Sequence, residues 1–432
     1  MSGICGVFST NHNNDVVDLI QYGLYALQHR GQEGCGIVTI DKQRIYELKR
    51  RKGLLSEILT QDIINDIKGF AGIGMVKYAF GDHMKYEPVM PYIYNTDDGN
   101  TVLAIDGNIV NKDFCISRLV EKINSEEAEL KDYVSSLEGI FCIVYISKNK
   151  MIVIRDKHGI KPLCIGRLNE TFVACSETCA LDAMGAVFIK DIERGEIYIK
   201  SKDTEKSLFS EQGAPHLCLF EMIYIARPDS CIDGINVYQA RYAMGKKLYE
   251  ECKTKADIVI GSPDSGLIAA KGYAKAANIE FVDGILRNRY IQRTFIKPRQ
   301  KERQECVGIK LTALRANIKD KELILVDDSI VRGTTIKRII KILKDAGAKK
   351  IHIRIASPPV VGTEKYTIDI PEKEHLIAYN KTVEQIRQEL GCDSLYYLSL
   401  DGIKSCCGNK GYYDTYFTGK NPIQGGDDGV NL

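Results

Sequence analysis

The 432 residues suffice for two domains of ordinary size, each able to bury its own core. With 44% hydrophobic and 27% charged residues, the composition is that of a globular protein, and a net charge of +2 gives no field that would draw nucleic acid or an anionic membrane as main partner. No run reaches the roughly 18 apolar residues of a membrane span, and Met1 to Cys5 carries neither the basic segment nor the apolar core of a secretory leader, so a cytoplasmic location is expected.

Up to about residue 215 the chain reads as short strands joined by turns. Strands are predicted at Val7 to Ser9, Cys35 to Ile40, Thr101 to Ile105, Phe141 to Ile146 and Met151 to Arg155. One clear helix is predicted from Asp15 to Leu27, where apolar residues recur at helical spacing. This pattern predicts an antiparallel, layered α+β domain over 1–215. The polar run between Lys200 and Pro215 marks its end. From 216 the pattern changes to helices (Ala240 to Lys253, Gly266 to Ala277, Thr335 to Ala346) alternating with apolar runs at Ile258 to Ile260, Leu323 to Val326 and Ile351 to Ile355. Buried apolar strands interleaved with helices predict a parallel α/β domain over 216–420. Residues 421–432, rich in Gly, Asp and Asn, read as a loose tail. The fourteen cysteines are scattered, several of them inside apolar runs, and no Cys-x-x-Cys occurs. They read as small hydrophobes in a reducing compartment, and the adjacent Cys406 and Cys407 would need further ligands to hold a metal.

The most informative stretch runs from Leu323 to Thr335: an apolar strand, Asp327 and Asp328, a small polar loop, then a helix. Backbone N–H groups of such a loop, with the helix N-terminus, form a cradle for a phosphate. Ser329, Thr334 and Thr335 add hydroxyls, and Gly333 lets the backbone close around a ligand. Two carboxylates at a strand end suit ribose hydroxyls or a magnesium-bound sugar diphosphate.

This string resembles the phosphoribosyl-diphosphate (PRPP) motif of type I phosphoribosyltransferases. Ser262-Pro263-Asp264-Ser265-Gly266, Gly284 to Phe295, Phe220-Glu221 and Ala226 to Ser230 narrow the resemblance to the amidophosphoribosyltransferases, over about residues 5 to 419. The resemblance implies that Asp327, Asp328 and Ser265 hold Mg²⁺, and that Ser329, Arg332, Gly333, Thr334 and Thr335 hold the 5-phosphate. It implies that Asp264 and Ser265 lie beside the diphosphate. Arg287, Arg289, Tyr290 and Arg293 would belong to a lid that excludes water and steadies the departing diphosphate.

The first half resembles the family's Ntn-type glutaminase. Cys5-Gly6-Val7-Phe8 matches the mature start, where a cysteine thiolate attacks the glutamine amide and its own free amine serves as base, which requires removal of Met1 to Ile4. Leu27 to Glu33 is a second matching segment, in which Arg30 braces the substrate pocket. Arg155-Asp156, His158 to Leu163 and Ser176-Glu177-Thr178 are a third.

Other positions depart from the family pattern. Gly-His-Val-Arg-Tyr becomes Gly74-Met75-Val76-Lys77-Tyr78, and lysine cannot clamp a carboxylate with two prongs. His-Asn-Gly-Asn becomes Ile105-Asp106-Gly107-Asn108, so an acceptor replaces an oxyanion donor beside the Gly107 N–H. The Ser-Asp-Ser-Glu segment that anchors the substrate amino group becomes Asn124 to Glu129. Of the four cysteines that hold an iron–sulfur cluster in many members, only Cys218 remains; Glu364, Tyr413 and Tyr416 stand at the others, so no cluster is expected.

The resemblance therefore implies an enzyme, an amidophosphoribosyltransferase whose glutaminase half is weakened or lost. Its expected reaction is formation of 5-phosphoribosylamine from PRPP, with nitrogen from glutamine or ammonia, in a homo-oligomer. The alternatives are a paralogue using ammonia or another nucleophile, and a non-catalytic PRPP or nucleotide sensor.

Overall fold

Alternation along one strand sets the architecture of the first half. In Ser2–Ser9, Ile4 and Phe8 face a core shared with a second sheet, whereas Cys5 and Val7 face helices. This strand is the middle of a seven-stranded sheet, paired antiparallel with Ala71–Lys77 on one side and Thr171–Cys175 on the other. A six-stranded sheet, containing Gly99–Ile109 and Gly139–Ile146, stacks on it. Helices Val17–Ala26 and Thr178–Met184 cover the outer face of the first sheet, and Ile116–Ile123 and Glu127–Ser136 that of the second. The result is a four-layered helix–sheet–sheet–helix unit, the layered α+β arrangement read from the sequence. The computed structural model describes residues 2–42, 44–50, 53–77, 90–96, 99–288, 311–363, 373–408 and 411–421.

Two elements differ from expectation in an instructive way. The first strand begins at Ser2 rather than Val7, because Ser2, Gly3 and Ile4 pair in register with Lys77, Val76 and Met75. Neither Ser2 nor Gly3 favours a strand by itself; the neighbouring strand's register imposes it. The first helix starts two residues late, at Val17, and the Asp15 carboxylate accepts the Val17 N–H at 3.2 Å.

The second half is built on a parallel five-stranded sheet in the order Glu280–Phe281, Ile258–Gly261, Glu322–Asp327, Lys350–Ile355, Ser394–Tyr397. Both faces are buried, which is why its strands read as unbroken apolar runs. Val259, Ile324 and Val326 meet helices Val237–Glu251 and Leu267–Ala277, while Ile258, Leu323 and Leu325 meet Thr334–Asp345 and Val383–Leu390. Leu217–Cys218, at the entry to this half, pairs in parallel with Tyr412–Tyr413 near its end. Among the described residues no helix is long and apolar enough to cross a membrane.

Candidate active site

The strand Glu322–Asp327 delivers Asp327 and Asp328 to the carboxyl end of the parallel sheet, where open α/β sheets bind ligands. Both residues are 7% exposed, and neither has an ion-pair partner among the described residues. Burial, and then the neighbouring Asp328 charge, pushes Asp327 well above the ordinary carboxylate range. Burial also raises Asp328, against hydroxyl hydrogen bonds from Ser265 and Ser329 that hold it down; the Ser329 bond is 2.6 Å.

Two loops face this acid pair. After Asp328 the chain turns through Gly333, at φ +77°, into helix Thr334–Asp345. A side chain there would meet Ile377 at 2.4 Å as well as straining the backbone, so the phosphate-type cradle requires glycine. Opposite, Ser262 to Gly266 leads into helix Leu267–Ala277, tied to the acidic strand by the Ser262 N–H donating to Val326 O at 2.9 Å. At Gly266 a Cβ would lie 2.6 Å from Val326 O, so this loop and the acid pair approach closely only without a side chain. Arg287 donates to Asp264 at 2.8 Å across the rim.

Together these loops wall a cavity of about 680 Å³ that collects Asp264, Ser265, Arg287, Asp327, Asp328, Ser329 and Arg332 to Thr335. The structure thus brings together every predicted residue of the phosphoribosyl site that it describes. Arg289, Tyr290 and Arg293 lie outside the described residues. The cavity adds residues to which sequence reading gave no role: Arg241, Arg227, Tyr224 and, from the first half of the chain, His29. Arg241 is buried behind the acid pair, held by carbonyls of Met222 and Ala226 at 2.8 Å.

His29 leads from the cavity into the layered half. Its Nε2 lies 2.7 Å from Glu177, and the next residue, Arg30, is fully buried. The Arg30 guanidinium donates to Glu177 at 2.6 Å and to both oxygens of Glu221 at 2.5 and 3.0 Å, and its Nε donates to Ser2 O at 3.0 Å. Glu177 also accepts from the Ser230 hydroxyl and the Arg227 N–H, at 2.7 and 2.8 Å. Although burial works to raise it, Glu177 is held far below the ordinary range by Arg30 and by the His29 hydrogen bond. Arg30 is thus committed to two carboxylates that span both halves of the chain.

The remaining predicted residues of the glutamine site are divided between the two sheets, Cys5 and Lys77 on the seven-stranded one and Asp106 and Gly107 on the six-stranded one. Cys5 is fully buried on the helix side; its sulfur lies 3.7 Å from that of Cys175 and over Gly23, where an added Cβ would sit 2.6 Å from it. Asp106 instead faces the space between the sheets, beside its cross-strand partner Cys142, and accepts from Lys161 Nζ at 3.0 Å. Burial lowers the Lys161 ammonium, and the Asp106 charge overcomes it to raise the pKa above the ordinary value. Gly107 follows at φ +118°, where a Cβ would strike Ile140 O at 1.9 Å. Lys77 pairs with Ser2 along the strand.

Glu177, Glu221 and Lys161 all sit in stretches that carried the resemblance. Their partnership was hidden by separations of 147 residues for Arg30–Glu177, 191 for Arg30–Glu221 and 55 for Lys161–Asp106. Near Cys218, Tyr413 and Tyr416 are fully buried, with Tyr416 edge-on to Phe220 at 4.9 Å and Phe417 stacked on the same ring at 5.8 Å. Cys407 belongs to the same core cluster as Cys218, and Cys406 packs against it. Glu364 lies outside the described residues.

The phosphoribosyl transferase domain family matches residues 235–361, and the glutamine amidotransferase domain family matches 90–183. The chain is 38% identical to the amidophosphoribosyltransferase of Bacillus subtilis over 97% of its own length and 94% of that relative. It is 38% identical to the Archaeoglobus fulgidus amidophosphoribosyltransferase over 97% and 98% of the two chains, and 35% identical to the chloroplastic amidophosphoribosyltransferase 2 of Arabidopsis thaliana over 99% and 80%. Among solved structures it is similar to the B. subtilis glutamine PRPP amidotransferase complexed with ADP and GMP, with a TM-score of 0.88, 38% identity and 97% of each chain covered. By full-length likeness in both sequence and fold, the chain belongs to the amidophosphoribosyltransferase family.

Proposed function

We propose that this protein forms 5-phosphoribosylamine from PRPP with release of diphosphate, the first step of purine nucleotide synthesis, in the cytoplasm. One observation carries the reading: a buried acid pair, a hydroxyl-rich cradle and a basic rim all face one cavity. Residues 216–420 perform the transfer, and 1–215 form a unit of glutamine amidotransferase type. Ser329 and Arg332 to Thr335 seat the 5-phosphate at the helix start. Asp264, Ser265 and Arg287 flank the diphosphate, and Arg289, Tyr290 and Arg293 complete the lid.

The acid pair fits Mg²⁺, since two carboxyls whose burial outweighs the nearby hydroxyls and Arg241 gain from a divalent cation that keeps water and substrate oxygens in its remaining positions. Bound there, Mg²⁺ would neutralise charge on the diphosphate as it leaves. The lid excludes water while the anomeric carbon carries positive charge.

Ammonia serves as the nitrogen source better than glutamine. The support is the ion-paired acid at the oxyanion position and the Cys5 sulfur, which packs on the helix-covered face of the seven-stranded sheet, away from Asp106. Diphosphate release from PRPP and Mg²⁺, with ammonium and glutamine supplied separately, tests this. Ammonia should exceed glutamine in kcat/KM by on the order of 10² or more, the typical worth of one oxyanion donor. Equal use of glutamine, lost selectively in Cys5→Ala, would overturn it. No iron–sulfur cluster is part of the enzyme, and stoichiometric iron and sulfide after anaerobic purification would disprove that.

A further inference from the structure

We propose that Arg241 is a substrate-binding residue of the transfer site, its Nη1 donating to the diphosphate of PRPP. The inference rests on the transferase reading above and adds to it a buried cation that faces the departing group.

Arg241 lies on helix Val237–Glu251 and is 4% exposed, yet it lines the cavity. Its fork is only partly used. Nε donates to Met222 O and Nη2 to Ala226 O, both at 2.8 Å. Among the described residues Nη1 has no hydrogen-bond partner, and no carboxylate forms an ion pair with the group. A buried guanidinium with no anion in contact is costly, so the open nitrogen marks a place where an acceptor belongs. Burial lowers Arg241 below the ordinary arginine value, against the charges of Asp328, Glu177 and Glu221, of which Asp328 counts most. The acid pair shows the same imbalance with the opposite sign. Once that pair holds a cation, the Asp328 charge that Arg241 feels is cancelled, and an anion entering the cavity takes its place.

Helix packing places Arg241 at the diphosphate side of the cavity. Helix Leu267–Ala277 starts from the loop Ser262 to Gly266, and helix Val237–Glu251 starts against Pro228, whose carbonyl accepts the Tyr238 N–H at 3.0 Å. Pro228 and that loop both line the cavity, so the two helices run away from it side by side. They touch at two glycines: a Cβ at Gly245 would lie 1.9 Å from Ala269 O, and one at Gly272 would lie 2.0 Å from Tyr242 O. Gly245 follows Arg241, and Ala269 follows Ser265, by about one helical turn, which sets Arg241 level with Ser265 at the cavity end. Ser265 bonds Asp328 and is one of the residues read as flanking the diphosphate. A guanidinium suits phosphate oxygens, and at this place its charge opposes the negative charge that builds on the diphosphate as the anomeric bond breaks.

The test is calorimetric binding to the full-length protein in the presence of Mg²⁺, with PRPP and with ribose 5-phosphate, which lacks the diphosphate. Arg241→Met should weaken PRPP binding about tenfold or more, the worth of a hydrogen bond between charged groups, and should move ribose 5-phosphate binding less than about twofold. Arg241→Lys keeps the charge without the fork and should bind PRPP several-fold more tightly than Arg241→Met. Should Arg241→Met fail to fold, Arg241→Gln, which can still donate to a carbonyl of Met222 or Ala226 but carries no charge, should show the same selective loss. An unchanged PRPP affinity, or equal losses for the two ligands, would mean that Arg241 only braces those carbonyls; either overturns the assignment. Failure of the wild type to bind PRPP at all would instead sink the transferase reading, and the assignment with it.

Discussion

Asp327 and Asp328 at the cavity are buried about as deeply as Glu177 and Glu221 in the layered half, yet the two pairs of carboxylates meet opposite fates. Around Glu177, a guanidinium, an imidazole, a hydroxyl and a backbone N–H compensate burial, and its pKa falls. At the strand end, hydroxyls and Arg241 do not make up for burial and both pKa values rise. A buried acid whose partners are all supplied by the chain braces the fold. One whose partner is not supplied is poised for a cation from outside. Asp106 stands between the two, with one oxygen served by Lys161 and the other by nothing.

The sharpest way to break this contrast is at the cavity. Asp327→Asn with Asp328→Asn should lower diphosphate release on the order of 10³-fold or more, several kcal/mol of transition-state stabilisation, with the circular dichroism of the wild type. Retained activity would remove the acid pair from the site. At the braced end the expected loss is of stability. Arg30→Met strands Glu177 and Glu221 without their cation and should cost roughly 3–5 kcal/mol in denaturant unfolding, whereas a loss below about 1 kcal/mol would show the network to be incidental. The smallest effect concerns Mg²⁺ and pH. Because the folded-state values of Asp327 and Asp328 are raised, their contribution to stability is full below the ordinary carboxylate range and is lost as pH rises through the folded-state values. Mg²⁺ should restore it, raising Tm by about 2–4 °C for each ~1 kcal/mol near neutrality, with the gain shrinking as the solution is acidified. A gain independent of pH would place the metal elsewhere.

What was legible in the sequence was contiguous. The strand, acid pair, loop and helix of the phosphoribosyl site occupy thirteen consecutive positions, so their geometry follows from local rules, and helix Thr334–Asp345 lies one residue from its expected place. The layered half was readable as a class but not as a site. That Cys5 faces helices depends on a register set by Ala71–Lys77, and that Arg30 bridges both halves depends on Glu221, 191 residues away. Composition also misled the reading of the first strand, since Ser2 and Gly3 gain their extended conformation from pairing alone.

The pairing of Leu217–Cys218 with Tyr412–Tyr413 has a consequence for the order in which the nascent protein can mature. The two large sheets of the layered half are complete by Phe209, so that half can close while the ribosome is still far from the end of the message. The second half cannot. The residues that open it share a core with Tyr413, Tyr416 and Phe417, so its apolar entry segment stays uncovered until those residues have been made, about 200 positions later. During that interval Glu221 can already dock on Arg30, and the finished half then serves as a template that shelters the unfinished one.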